Sequence, residues 1–92
     1  MNTLDDILSS RGARYGSFAD NSKISQALKA AMRKYPSWEV LDDHMKEALE
    51  MIAHKIGRIL VGDPSHADSW VDVAGYAKLV AKILESADLE KR

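Results

Sequence analysis

Apolar side chains recur along the chain at intervals of three and four. Ile24, Ala27, Leu28, Ala31, Met32 and Tyr35 keep that spacing, as do Met45, Ala48, Leu49, Ile52, Ala53, Ile56, Ile59 and Leu60. This is the period of an α-helix with one buried stripe, and no stretch alternates in the two-residue period of a strand. Boundary residues divide the pattern into four helices. Thr3 is placed to cap the first, whose stripe is Leu4, Ile7 and Leu8, and Tyr15-Gly16 closes it. Ser17 caps the second, with Asp20 as its capping-box partner, and Pro36 stops it after Tyr35. Residues 36–41 form a connector in which Trp38, Val40 and Leu41 tuck against the helices, Trp38 as a lid. Asp42 caps a third helix that ends near Val61 before Gly62-Asp63-Pro64. The fourth begins at Asp68 or just before it and runs to about Ser86, and the charged tail after Ala87 frays.

The fourth helix departs from a simple stripe. Trp70, Val73, Ala74, Ala77, Val80, Ala81 and Leu84 form one apolar band, with Tyr76, Leu79 and Ile83 beside it. That surface is wider than one neighbour covers, so this helix is expected to be central or shared with a second subunit. The sequence thus predicts one all-α domain over residues 1–92, a four-helix antiparallel bundle that forms a homo-oligomer, dimeric or larger. Within the third helix Gly57 costs about 1 kcal/mol against alanine, which a close approach of another helix or a ligand would explain. Asn21, at the edge of the second helix's stripe, needs a hydrogen-bond partner, most simply nearby backbone.

Charge and composition narrow the function classes. Thirteen basic and fourteen acidic side chains leave a net charge of −1, with no basic excess for duplex nucleic acid and no polybasic run for a membrane surface. There is no cysteine, hence no disulfide and no thiolate zinc site. No apolar run approaches the roughly 20 residues of a membrane span, and Asp5 and Asp6 are wrong for a secretory leader. The cytoplasm is the expected compartment.

Candidate chemistry lies in two acidic pairs. Glu47 and Glu50 are three apart on the third helix, and Asp68 and Asp72 are four apart on the fourth, so each pair shares a face. Clustered carboxylates suit a hard cation such as Mg²⁺, which often shares its ligands with substrate phosphates. Lys55, Arg58 and Arg14 would take phosphate charge. Tyr15 or Trp70 would stack on a base, and His54 would act as ligand, base or core hydrogen-bonder. Arg11, Arg14 and Tyr15 form a cationic-aromatic group suited to a phosphate or a base. Each acid also has a simpler role: Glu47 and Glu50 on a solvated face, Asp68 as an N-cap, Asp72 paired with Arg58, Lys55 or Arg14. The third helix separates the two pairs along its axis, so they meet only if the helices cross or a second subunit contributes.

The stretches Arg14-Tyr15-Gly16-Ser17-Phe18, Glu47 to Ile59 and Asp68-Ser69-Trp70-Val71-Asp72-Val73-Ala74-Gly75-Tyr76-Ala77 resemble, in that order, a family of small uncharacterised phage and prophage domains. More distantly the layout resembles the MazG-like all-α nucleoside triphosphate pyrophosphohydrolases. These hold Mg²⁺ with a Glu-x-x-Glu helix and a later Glu-x-x-Asp helix, usually in oligomers. Glu47 and Glu50 match the first motif and Asp72 the last acid of the second. Ser69 stands where that motif has glutamate, with Asp68 one position earlier. The resemblance implies metal ligands at Glu47, Glu50, Asp68 and Asp72, catalysis involving Glu50 and Asp72, and nucleotide contacts from Arg14, Tyr15, His54, Lys55, Arg58 and Trp70. The alternative is a non-catalytic helical module that associates with itself and uses the same charges as ion pairs.

Overall fold

In a computed structural model, which describes residues 3–90, the chain forms α1 (Thr3–Tyr15), α2 (Phe18–Arg33), a 3₁₀ turn (Pro36–Val40), α3 (Asp43–Val61) and α4 (Ala67–Glu90). The described residues contain no strand, and none of their helices is long and apolar enough to cross a membrane. Several boundary signals act as expected. The Ser17 hydroxyl accepts from the Asp20 amide at 3.3 Å, although the reciprocal bond of a capping box, to the Asp20 carboxylate, does not form among the described residues. Gly16 takes φ +77°, where a side chain would be strained. Gly62 follows α3 with its amide on the Arg58 carbonyl.

Other boundaries move. Thr3 lies inside α1, so the cap position falls outside the described residues. Asp42 precedes α3 without a side-chain cap bond. Ala67 opens α4, which leaves Asp68 in the first turn, and the helix continues past Ser86 to Glu90 rather than fraying at Ala87. Residues 91 and 92 of the expected tail lie outside the described region. Trp38 is buried as expected, but Val40 is exposed because the 3₁₀ turn carries it outward.

The helices do not close a four-sided bundle. α3 is the middle layer: α2 packs along one side of it and α4 along the other, while α1 touches α2 and α3 only lightly and has no buried residue. α4 is therefore an edge helix rather than a central one, a central place being the first of the two expected alternatives.

Close approach sets the α2–α3 seam. A Cβ on Gly57 would stand 2.6 Å from the backbone oxygen of Asn21, so the glycine is the place where α2 meets α3. The buried residues of α2 are Asn21 and Ser25. The contact line has rotated from the apolar stripe toward smaller polar side chains, which permit that approach and leave Ala27, Ala31 and Tyr35 exposed. On α4 the face turned to α3 carries Ser69, Asp72, Val73, Tyr76 and Val80, between the two expected bands. Both bands consequently keep exposed members: Trp70 and Leu84 on one flank, Leu79 and Ile83 on the other.

Two glycines give opposite expectations. Gly57→Ala forces α2 and α3 apart and should lower unfolding free energy by about 1–3 kcal/mol. Gly75, where an added Cβ would meet nothing within 4 Å, should gain up to about 1 kcal/mol as alanine. Denaturant unfolding of both variants reads the difference; equal effects would remove close helix contact as the reason for Gly57.

Candidate functional site

The charged residues of α3 are divided between its two neighbours. Arg33 of α2 donates to the Glu50 carboxylate at 2.6 Å. On the opposite side the Lys55 ammonium lies 3.0 Å from the Asp72 carboxylate. Lys55 is buried along its stem while Asp72 remains partly exposed, so the pair closes the α3–α4 seam with one member facing water. Lys55 is five residues beyond Glu50, about 7.5 Å along the helix. Asp72 therefore meets α3 at a different height from the Glu47–Glu50 pair, as the connector geometry requires.

Asp68 points to the connector, its carboxylate 3.3 Å from His66 Nε2 but outside hydrogen-bond geometry, since that nitrogen has no hydrogen-bond partner among the described residues. Glu47 is exposed beside Tyr76, Leu79 and Ile83. Magnesium needs several oxygen ligands around one ion. Among the described residues no three His, Asp or Glu side chains are grouped to hold a metal, and Glu50 and Asp72 each face a cation instead. Among the described residues of one chain the four acids are therefore not grouped around one point.

The residues expected to bind nucleotide separate into two groups. The Arg58 guanidinium lies over the Tyr15 ring at 4.4 Å, a cation–π contact, and the His66 ring meets Tyr15 edge-on at 5.6 Å between centroids. Backbone holds this corner together: the Asp63 amide donates to the Arg14 carbonyl at 2.7 Å, and Gly62 lies against Arg14 and Tyr15 too closely for a Cβ. The Arg14 side chain is exposed. Trp70 donates its indole N–H to the Pro64 carbonyl at 2.7 Å and so fastens the connector before α4, with more than half its surface exposed. In the same connector Ser65 donates twice to the Asp63 carboxylate, which holds that acid below its ordinary pKa. The pKa of His54 is also lowered, first by partial burial and then by Arg58, Lys55 and Lys29, which disfavours its charged form.

A pocket of about 420 Å³ opens beside this corner, lined by Leu8, Arg11, Tyr15, Phe18, Asn21 and Arg58 among others. Asn21 donates through Nδ2 to the Tyr15 carbonyl at 3.4 Å, a backbone partner at the end of α1 rather than in the preceding turn of its own helix. Sequence reasoning misses three participants. Leu8 reads as part of the apolar stripe of α1, and Phe18 has no role beyond the motif that contains it, but both are exposed at the pocket wall. Arg33 carries no signal of its own, although antiparallel pairing across a short connector brings the end of α2 to the first half of α3.

A family model matches residues 1–84. The chain belongs to the family described as a domain of unknown function, DUF6378. No curated protein and no solved structure matches it. In this DUF6378 chain the family match spans α1 to the first three-quarters of α4, so it includes the Tyr15–Arg58–His66 corner, the Lys55–Asp72 pair and both flanks of α4.

The Lys55–Asp72 pair can be weighed by a double-mutant cycle. Asp72→Asn leaves a buried ammonium without its counter-charge and should cost about 1–2 kcal/mol, less than a fully buried pair because Asp72 is partly solvated. Lys55→Met combined with Asp72→Asn should recover most of that loss in urea unfolding. Additive losses would mean that the two side chains do not stabilise the seam through each other.

Proposed function

We propose that this DUF6378 chain is a non-catalytic helical interaction module that associates with a second copy of itself through the outer face of α4. One observation carries the reading. The chain exposes 6668 Å², against about 5,300 Å² for a folded monomer of its mass. Its radius of gyration is 16.2 Å, against about 12 Å for a chain of this length. The excess, about 1,400 Å², exceeds the roughly 800 Å² that each partner hides in a standard interface. Exposed apolar side chains supply the surface: Val71, Leu79 and Ile83 along one flank of α4, at 64%, 60% and 46% exposure. A depression lined by Tyr76, Leu79, Val80 and Ile83 with Ala48 of α3 runs beside them. A second α3–α4 pair laid on this flank would complete a four-helix arrangement and bury what one chain leaves open.

Sedimentation equilibrium tests this directly. The wild-type chain should be a dimer or larger at about 10–100 µM, within the range of an ordinary reversible interface, and Leu79→Glu with Ile83→Glu should be a folded monomer by circular dichroism. A wild type that stays monomeric throughout that range, or a double variant that still associates, would contradict it.

A second reading follows from the placement of two acids. Glu47 and Asp72 lie in separate depressions that share Tyr76 and Leu79, so association on this flank would bring acids of two copies toward one another. The resemblance to phage-type domains and to MazG-like enzymes would then take the form of a cytoplasmic Mg²⁺-dependent nucleoside triphosphate pyrophosphohydrolase, or a nucleotide binder, assembled between protomers. Its test is release of pyrophosphate from a nucleotide panel with Mg²⁺, expected to vanish in Asp72→Asn while the fold persists. No release from any nucleotide, or release unaffected by the substitution, rejects this reading and leaves the interaction module.

A further inference from the structure

We propose that the pocket between α1 and the start of α2 binds a phosphate monoester carried on a small planar or apolar body. The inference does not depend on self-association, and the pocket lies apart from Asp72 and the α4 flank. Its wall combines two guanidinium groups, Arg11 and Arg58, with the apolar surfaces of Leu8 and Phe18. Neither arginine has a carboxylate partner among the described residues. Arg58 is steadied by the Tyr15 ring at 4.4 Å, a contact with its π-face that leaves the in-plane N–H donors without a hydrogen-bond partner in the fold. Two guanidinium groups at one cavity, Arg58 steadied by Tyr15 and Arg11 at the exposed rim, suit a phosphate better than a single-point anion.

Two further features act in the same place. Ser17 and Phe18 begin α2 and line the pocket, so the positive end of the helix dipole lies at its wall. Ser17 Oγ takes the Asp20 amide, while the Phe18 and Ala19 amides have no partner among the described residues. Asn21 also lines the pocket, is only 4% exposed, and its Oδ1 accepts no hydrogen bond. Its Nδ2 donates to the Tyr15 carbonyl and its Oδ1 is shut off from solvent, so Asn21 shapes the wall rather than offering a free acceptor. Phosphate for the arginines and a flat or apolar body for Phe18 and Leu8 describe a small phosphate ester such as a nucleoside monophosphate. The volume, about 420 Å³, is in the range of small-ligand pockets.

Isothermal titration calorimetry on the full chain at low salt tests this, with AMP, inorganic phosphate and adenosine as probes. AMP should bind, inorganic phosphate should bind more weakly at the same site, and adenosine should give no measurable heat. Arg11→Gln, at an exposed position, should weaken AMP about tenfold, as removal of one charge-assisted contact implies. Arg58→Gln should do at least as much and Arg58→Lys less. Lys78→Gln on α4 should change nothing. Failure of AMP to bind, adenosine binding as tightly as AMP, or equal affinity in wild type and Arg11→Gln would each overturn the proposal.

Discussion

The structure depends on one helix, α3, that serves both α2 and α4 as their principal neighbour. α3 carries the small buried residues Ala48, Ala53 and Gly57 together with Ile59, and against it α2 and α4 are laid on separate sides. Nothing substantial joins α2 to α4 directly. A layer of this kind, unlike a closed bundle, buries each outer helix on one face alone. The remaining apolar surface of α4 follows from the topology rather than from any peculiarity of its side chains, and so does the extended shape, 58 by 27 by 23 Å.

The charged residues of the middle helix repeat the same division. Glu50 faces α2 and takes Arg33; Lys55 faces α4 and takes Asp72. Each pair fixes the register of one seam, and each removes an acid from the set that would have to converge on a metal ion. Two of the cations without a carboxylate among the described residues, Arg11 and Arg58, line the pocket where α1 turns into α2, beside the C-terminal half of α3. Positive charge is therefore available at one end of the molecule and apolar surface along the opposite edge. Self-association and ligand binding can coexist because they draw on different residues.

Much of this arrangement is legible in the sequence. The three-and-four spacing marks all four helices, Ser17 and Pro36 bound the second, and Gly57 signals the close approach that Asn21 makes. A counter-ion for Asp72 is expected among three cations, of which Lys55 is the partner. The extra width of the apolar surface on α4 is also readable, but its meaning is not. Periodicity reports how much of a helix is apolar, not how many neighbours it has, and the same pattern serves a central helix or an edge helix awaiting a partner. The rotation of α2 onto Asn21 and Ser25 is hidden for a related reason: at a seam set by Gly57, side-chain size outweighs hydrophobicity. The separation of the two acidic pairs, by contrast, is readable, because the length of α3 and the short connector after it put them at different heights.

Hydrogen exchange followed by mass spectrometry at two protein concentrations, one well above and one well below the association range, tests this layered arrangement most directly. α3 should exchange slowest at both concentrations, and α1 fastest. Protection of α4 should rise with concentration as its outer face is covered. Protection of α4 that equals that of α3 and does not change with concentration would contradict it, since a single chain would then already enclose the helix that lies at its edge.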